Sequence, residues 1–249
     1  PLSSISLSVF VDSMLLLAYL DGEDLPFSEN ILYIFKKQIE QAQILVLNKI
    51  DLLTGDEVDR LKRLANREYP EKTLHLQNSN SESDIEAWYA LITEKNVDPT
   101  IESIEIDYSK YRQGETELAW LDQKVTIKAK QGNVYDGIID LIAGIQQEIA
   151  RHNAAIGHLK FMISTSSENI KISIPTIEQK GWRDELKRNQ DTEARVLINA
   201  RIQIHPDLLK KLVTSAVDDL AHNPEYEVVS QKMQVFKPDA PHPTYRISG

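Results

Sequence analysis

The chain has 249 residues, 41% of them hydrophobic, and a formal net charge of −10. A chain of this length and composition can bury a substantial core, as one large domain or two domains of ordinary size. The acidic balance argues against a protein that binds nucleic acid, and the absence of cysteine excludes disulfides, a thiolate zinc site and a cysteine nucleophile.

The first part of the chain alternates between strand and helix patterns. Apolar runs predict strands at residues 5–12, 44–47 and 73–76. Amphipathic stretches predict helices that begin near Ser28, Asp56 and Ser81. The longest apolar stretch near the N-terminus, residues 14–20, is too short for a membrane helix, so no membrane partner is expected. Strands that alternate with helices at this spacing indicate parallel βα units.

A different pattern begins after about residue 97. Half-exposed strands are predicted at 101–108 and 124–130, a hairpin at 159–163 and 170–174, and the clearest strand at 196–204. Long helices are predicted over 134–152 and from Pro206 onwards. This pattern predicts an antiparallel sheet with two helices on one face, an α+β sandwich of ferredoxin-like type. The predicted domains are therefore 1–97 and 98–249, the second ending in a proline-rich tail after Pro224 that is predicted to be extended.

Three polar side chains follow the buried strand at 44–47: Asn48, Lys49 and Asp51. Because open α/β sheets bind ligands at the carboxyl ends of their strands, this position favours a binding role. The Asp51 carboxylate only accepts hydrogen bonds, so it suits a ligand with adjacent N–H donors, such as guanine. The Asn48 amide can donate and accept, and the Lys49 stem offers an apolar strip to a flat base. The alternative is a polar loop in which Asp51 begins a turn.

The same part of the chain resembles the CobW-like metal-associated P-loop GTPases of cobalamin synthesis. Their VVDA-like strand end corresponds to Val9-Phe10-Val11-Asp12-Ser13, and their ADxxVLNKxDL segment corresponds to QAQILVLNKIDL at residues 41–52. The resemblance covers residues 5–95. It implies a partial parallel P-loop-GTPase-like sheet followed by a smaller α+β domain. It also implies that the loop at residues 77–79 closes over the base, with Asn78 and Ser79 as further contacts.

Two segments of that family are missing from the chain. No GxxxxGK[ST] motif occurs, and a GCxCC segment cannot exist without cysteine. We therefore expect the chain to begin inside a GTPase domain whose phosphate-binding half lies upstream. Since phosphoryl transfer depends on positioned phosphates and magnesium, this chain alone should not hydrolyse GTP.

The resemblance implies a function as the C-terminal part of a cytoplasmic GTPase that acts as a metallochaperone or cofactor-insertion regulator. The implied cofactor is GTP, with only guanine contacts in this chain, and the complete protein would use Mg²⁺ and a transition metal. The implied partner is a metalloprotein or corrinoid-protein client. The alternative function is a non-catalytic protein-interaction module with no nucleotide role.

The remaining predictions from the sequence concern metal binding and self-association. The six histidines form no HxH or HExxH pattern, so neither a metal ligand nor a catalytic residue is assigned in this chain. A truncated parallel layer would leave an exposed strand edge, which makes a homo-oligomer possible.

Overall fold

The structure is a computed structural model that describes residues 6–93, 104–174, 181–186 and 189–238. The chain divides into two compact units, one containing the described residues up to Tyr111 and the other those from Arg112 to Pro238. Each unit has a hydrophobic core of its own. The division falls within a helix, later in the chain than the change of sequence pattern near residue 97.

The first unit contains a three-stranded parallel sheet with the strand order β1-β2-β3. Its strands are β1 (Ser8–Asp12), β2 (Ile44–Asn48) and β3 (Thr73–Gln77). Its helices are α1 (Ser13–Leu20), α2 (Glu29–Gln41), α3 (Gly55–Glu68), α4 (Glu82–Thr93) and α5 (Tyr108–Glu117), the last of which crosses into the second unit. A short 3-10 helix, Ile50–Leu52, follows β2 directly.

Local sequence explains these elements. Ile44 to Leu47 of the central strand β2 are fully buried, and they are all apolar because alternate side chains of this strand point to opposite faces of the sheet and both faces are covered. Ser28 caps α2 as predicted, since its hydroxyl accepts a hydrogen bond from the backbone N–H of Ile31. Thr54 caps α3 in a capping box with Glu57. The three predicted strands of this unit are confirmed.

The second unit is an antiparallel sheet with the strand order β6-β5-β7-β4-β8, and β9 also pairs with β4. The strands are β4 (Ala119–Ala129), β5 (Ile156–Ser164), β6 (Asn169–Ile174), β7 (Glu193–Ile202), β8 (Tyr226–Ser230) and β9 (Gln234–Phe236). The helices α6 (Tyr135–Arg151) and α7 (Pro206–His222) contact each other and contribute to the core of the unit, and a 3-10 helix spans Trp182–Glu185. The prediction of an α/β fold with a parallel and an antiparallel sheet is confirmed at this level.

The predicted strand at 101–108 is wrong where the structure describes it. Residues 104–107 are irregular and α5 begins at Tyr108. Asp107 caps this helix, because its carboxylate accepts hydrogen bonds from the backbone N–H groups of Ser109 and Lys110. Residues 101–103 lie outside the described residues.

The proline-rich tail contains two strands that the sequence pattern did not predict. β8 pairs with Val125–Ala129 of β4, and β9 pairs with Trp120–Asp122 of the same strand. Both are short, and they form because the eleven-residue β4 offers a long edge of backbone groups. The tail beyond residue 238 lies outside the described residues. None of the helices in the described part of the chain has both the length and the apolar character that crossing a membrane requires.

Candidate functional site

The carboxyl ends of the three parallel strands form one row. Asp12 of β1 is in register with Asn48 of β2, which is in register with Gln77 of β3. Lys49 and Asp51 follow Asn48, while Asn78 and Ser79 follow Gln77. The fold therefore brings all five sequence-predicted site residues to the same edge of the sheet, where the two loops are joined by hydrogen bonds.

Lys49 is held by an ion pair with Asp12. Its Nζ lies 2.7 Å from Asp12 Oδ2, and both side chains are partly buried. The other carboxylate oxygen of Asp12 caps α1, accepting from the backbone N–H groups of Met14 at 3.0 Å and Leu15 at 3.3 Å. Lys49 itself has φ of 65°, in the left-handed region that non-glycine residues rarely adopt. Lys49 is thus positioned by its backbone turn and by its ammonium group.

Asn48 joins the loop after β2 to the loop after β3. Its Oδ1 accepts hydrogen bonds from the Ser79 backbone N–H at 3.2 Å and from Ser79 Oγ at 2.8 Å. Gln77 Nε2 donates to the same hydroxyl oxygen at 3.0 Å. Because Oδ1 is occupied, the Asn48 amide offers its NH₂ group as the donor for any ligand.

Asn78 shapes the turn that follows β3. Its backbone N–H donates to Asp84 Oδ2 at 2.8 Å, and its side-chain oxygen accepts from the Asn80 backbone N–H at 2.9 Å. The bond from Asn78, with a further bond from the Ser81 hydroxyl, holds the pKa of the Asp84 carboxyl below its ordinary value. The carboxylate of Asp84 thereby anchors the loop to the start of α4.

Asp51 differs from the other four residues. It lies in the 3-10 helix after β2 and is exposed, and no described residue donates a hydrogen bond to its carboxylate. Two polar atoms near this edge, Ser13 Oγ and Gln77 Oε1, are buried without a described hydrogen-bond partner. The edge thus carries the exposed Asp51 carboxylate as an acceptor and the Asn48 NH₂ group as a donor. The bonds of Asn48 Oδ1 and of Asp84 hold the loops in place.

A second polar cluster, in the antiparallel unit, was not predicted. The buried hydroxyl of Tyr135 lies 3.0 Å from Glu168 Oε1 and 3.1 Å from Asp191 Oδ2. Asp191 also accepts from the hydroxyls of Ser166 and Ser167. Burial, with the bonds to the two carboxylates, raises the pKa of Tyr135 to about 12, whereas the Ser166 hydroxyl lowers the pKa of Asp191 below its ordinary value.

This cluster lies close to an open cavity of about 410 Å³ and ties the β5–β6 turn to the segment before β7 and the start of α6. The cavity is lined by Ser164, Thr165, Ser166, Thr192, Glu193 and Arg195. The only sequence signal for the cluster is the polar run at residues 164–169, which connects the two strands of the predicted hairpin and is typical of a turn. Tyr135 and Asp191 are distant from it in sequence, so only the fold reveals the cluster. Among the described residues, no group of three or more His, Asp or Glu side chains could hold a metal ion.

Comparisons with known proteins give no family. No protein-family model matches the chain, and no curated protein matches it. The structure is similar to that of a hydantoinase/carbamoylase family amidase from Burkholderia multivorans, with 12% identity and a TM-score of 0.33 over 49% of this chain and 29% of that chain. A hydantoinase/carbamoylase family amidase from Burkholderia ambifaria gives 13% identity and a TM-score of 0.30 over 49% of this chain and 28% of the other.

These findings correct the assignment made from the sequence. The CobW-like GTPase resemblance is wrong as a family assignment, since no family model and no curated protein supports it. The function inferred from it, a GTP-binding metallochaperone or cofactor-insertion regulator of cobalamin synthesis, is withdrawn with it. The match spans less than a third of each amidase chain, and TM-scores this low carry no amidase activity over to this chain. A short NKxD-like segment after a buried strand misled the assignment because parallel sheets of many families end in polar loops.

Proposed function

We propose that the carboxyl edge of the parallel sheet binds a small planar ligand that presents adjacent N–H donors. The observation that carries the proposal is the Asp51 carboxylate, which is exposed and accepts no hydrogen bond from a described residue. An ionised carboxylate with two oxygens can accept from two neighbouring donors of one ligand. The position supports the proposal, because open parallel sheets bind ligands at this edge.

Asn48 and Lys49 complete the proposed site. Asn48 uses its oxygen to hold Ser79, which leaves its NH₂ group to donate to an acceptor atom of the ligand. The Lys49 ammonium is neutralised by Asp12, so the residue would contribute the apolar part of its side chain as a surface for a flat ring. Asn78 and Ser79 are proposed as loop residues at the rim of the site, with Ser79 positioned by Asn48.

A guanine base belongs to this class of ligand, and guanine contact by this chain stays a proposal. It is separate from GTP hydrolysis and from metal delivery, for which the described residues offer no support. The proposed binding of a planar ligand does not depend on Mg²⁺ or on a transition metal.

The test is a titration of the isotope-labelled protein with guanosine, xanthosine and adenosine, in which changes in amide chemical shifts report binding. We expect guanosine to shift the amides of residues 48–53 and 78–80, and adenosine, which lacks the adjacent donors, to shift them less. Replacing Asp51 by Asn exchanges one acceptor oxygen for an NH₂ group, which should weaken guanosine binding by about 2 kcal/mol, roughly 30-fold. The same variant should favour xanthosine, whose 2-oxo group accepts a hydrogen bond.

Asp59→Asn is the matched control, because Asp59 is an exposed carboxylate on α3 outside the edge. It should leave the titration unchanged. Equal binding of the nucleosides by wild-type protein and Asp51→Asn would refute the proposed role of Asp51. Shifts confined to other parts of the chain would refute the site as a whole.

We also propose that the antiparallel unit is a ferredoxin-like fold with one added strand. When β6 is set aside, the strand order is β5-β7-β4-β8, with α6 between β4 and β5 and α7 between β7 and β8. Two interleaved βαβ units of this kind support the assignment.

The predicted domains 1–97 and 98–249 also stay a proposal, supported by the two separate cores. A cytoplasmic location and self-association through an exposed strand edge stay predictions.

A further inference from the structure

The antiparallel sheet carries an apolar pair between lysines on the face that points away from the core. Met162 of β5 is in register with Leu197 of β7. Lys171 of β6 lies opposite Met162 on one side, and Lys124 of β4 lies opposite Leu197 on the other. Because cross-strand partners have Cβ atoms about 5 Å apart, these four side chains form one row across four strands. Arg195 lies two residues from Leu197 on the same face. We call this set, with Arg195, the outer face.

The apolar pair on the outer face remains accessible. Met162 is 43% exposed and Leu197 is 38% exposed. Their neighbours along the strands, Phe161, Ile163, Val196 and Ile198, alternate with them and are buried in the core that contains α6 and α7. These two adjacent apolar side chains in the middle of the sheet, with a lysine on either side of the pair, provide an anchor for a partner side chain.

The charges around the pair favour an anionic partner. Lys124, Lys171 and Arg195 are exposed, and no ion pair in the described part of the chain includes any of them. Glu193, further along β7, pairs with Lys128 at 3.1 Å. Asp122 accepts a hydrogen bond from Asn199. The cations beside the apolar pair thus lack acidic partners although the whole chain has a net charge of −10.

We propose that the outer face binds an acidic polypeptide segment that carries an aliphatic side chain between its carboxylates. The aliphatic group would pack on Met162 and Leu197, and the flanking carboxylates would pair with Lys171, Lys124 and Arg195. Single-stranded nucleic acid fits this face less well, because the Arg201 guanidinium already covers the Trp120 ring at 3.8 Å and leaves that ring face closed to a base. The net charge of −10 would also repel a polyphosphate at long range.

The test is fluorescence anisotropy with the full chain and a labelled peptide of roughly ten residues, enough for an extended segment to cross four strands about 4.8 Å apart. The probe consists of glutamates with two leucines at its centre. The comparison probes replace the leucines by serine, replace the glutamates by lysine, or consist of an oligo-dT of similar length. We expect binding of the first probe only, weakened as salt rises from about 50 to about 200 mM.

Arg195→Glu and Leu197→Ser should each weaken binding of the acidic probe by about tenfold. Lys210→Glu is the matched control, since Lys210 is an exposed cation on α7, and it should bind like wild type. Circular dichroism of each variant establishes that it is folded, and Lys124→Glu replaces any variant that is not.

Three results would overturn the proposal. The first is absence of binding to the leucine-containing acidic probe, or an equal loss of binding in Lys210→Glu. The second is tighter binding of oligo-dT, which would assign the face to nucleic acid. The third is concentration-dependent dimerisation in sedimentation that Leu197→Ser abolishes, which would assign the face to a second copy of the chain.

Discussion

Lys49 reaches from the end of β2 to Asp12 at the end of β1, with 2.7 Å between Nζ and Oδ2. The same carboxylate caps α1 through its other oxygen. One side chain therefore connects two strands and a helix beside the proposed ligand site. Lys49, which the sequence suggested as a surface for a base, is also part of the framework of the edge.

Two substitutions of Asp12 should separate the contribution of its ion pair with Lys49 from that of its N-cap of α1. Asp12→Asn keeps a good N-cap acceptor and loses the charge, so the free energy of unfolding should fall by less than about 1 kcal/mol, as for partly exposed ion pairs. Asp12→Ala also loses the cap and should cost about 1–2 kcal/mol. Urea unfolding monitored for this unit measures both values. Equal losses would mean that the cap contributes nothing.

The bond between Asn48 and Ser79 should appear as coupling between the two side chains. Asn48→Ala and Ser79→Ala each break the hydrogen bond from the Ser79 hydroxyl to Asn48 Oδ1. The double variant should therefore lose less stability than the sum of the two single variants. A coupling of about 0.5–1 kcal/mol is expected for one such hydrogen bond. A double-mutant cycle by urea unfolding measures it. Additive losses would contradict the bond.

Asp191 should make the antiparallel unit sensitive to acid. The Ser166 hydroxyl, with other bonds, lowers the pKa of Asp191 in the folded chain, so ionised Asp191 stabilises the fold at pH values above its ordinary pKa. That stability is lost as the pH falls below about 4 and through the lowered pKa. Asp191→Asn should therefore unfold more easily at neutral pH and show a smaller further loss in acid. Thermal melts from neutral to acidic pH test this, and parallel curves for both proteins would contradict it.

The hydroxyl of Tyr135 should contribute measurably to stability. Tyr135→Phe keeps the ring in the core but leaves Glu168 and Asp191 without this donor, so we expect a loss of about 1–2 kcal/mol. Tyr89→Phe is the control, because Tyr89 is 62% exposed and its hydroxyl has no described partner. Chemical unfolding of both variants gives the comparison. A loss in Tyr89→Phe as large as in Tyr135→Phe would show that the buried bonds are not the cause.

Two glycines of α6 should respond in opposite ways to alanine. A Cβ at Gly137 would lie 2.9 Å from the buried ring of Tyr226, so Gly137→Ala should destabilise the chain by about 1–3 kcal/mol. A Cβ at Gly144 would meet the Ala216 side chain at 3.4 Å, an ordinary contact, and alanine is the better helix former by about 1 kcal/mol. Gly144→Ala should therefore leave the melting temperature unchanged or raise it. Destabilisation by Gly144→Ala alone would contradict this packing.

The elements that the sequence predicted are those whose signal lies within one segment. Continuous apolar residues at 44–47 predicted a buried strand, and alternation at 196–204 predicted β7 because burial on one face imposes a period of two. The predicted strand at 101–108 failed because a single cap residue, Asp107, starts a helix there. β8 and β9 were missed because their pairing partner, β4, lies about a hundred residues earlier in the chain.

The sequence by itself determined the change from a parallel to an antiparallel architecture and the placement of Asn48, Lys49 and Asp51 at a strand end. Both follow from periodicity, which is a local property of the chain. Only the tertiary structure decided that Lys49 pairs with Asp12, that Asn48 holds Ser79, and that Tyr135 meets Glu168 and Asp191. These contacts join residues from 31 to 56 positions apart in the chain, and hydrogen bonds form wherever the fold brings donor and acceptor within about 3 Å, regardless of sequence separation.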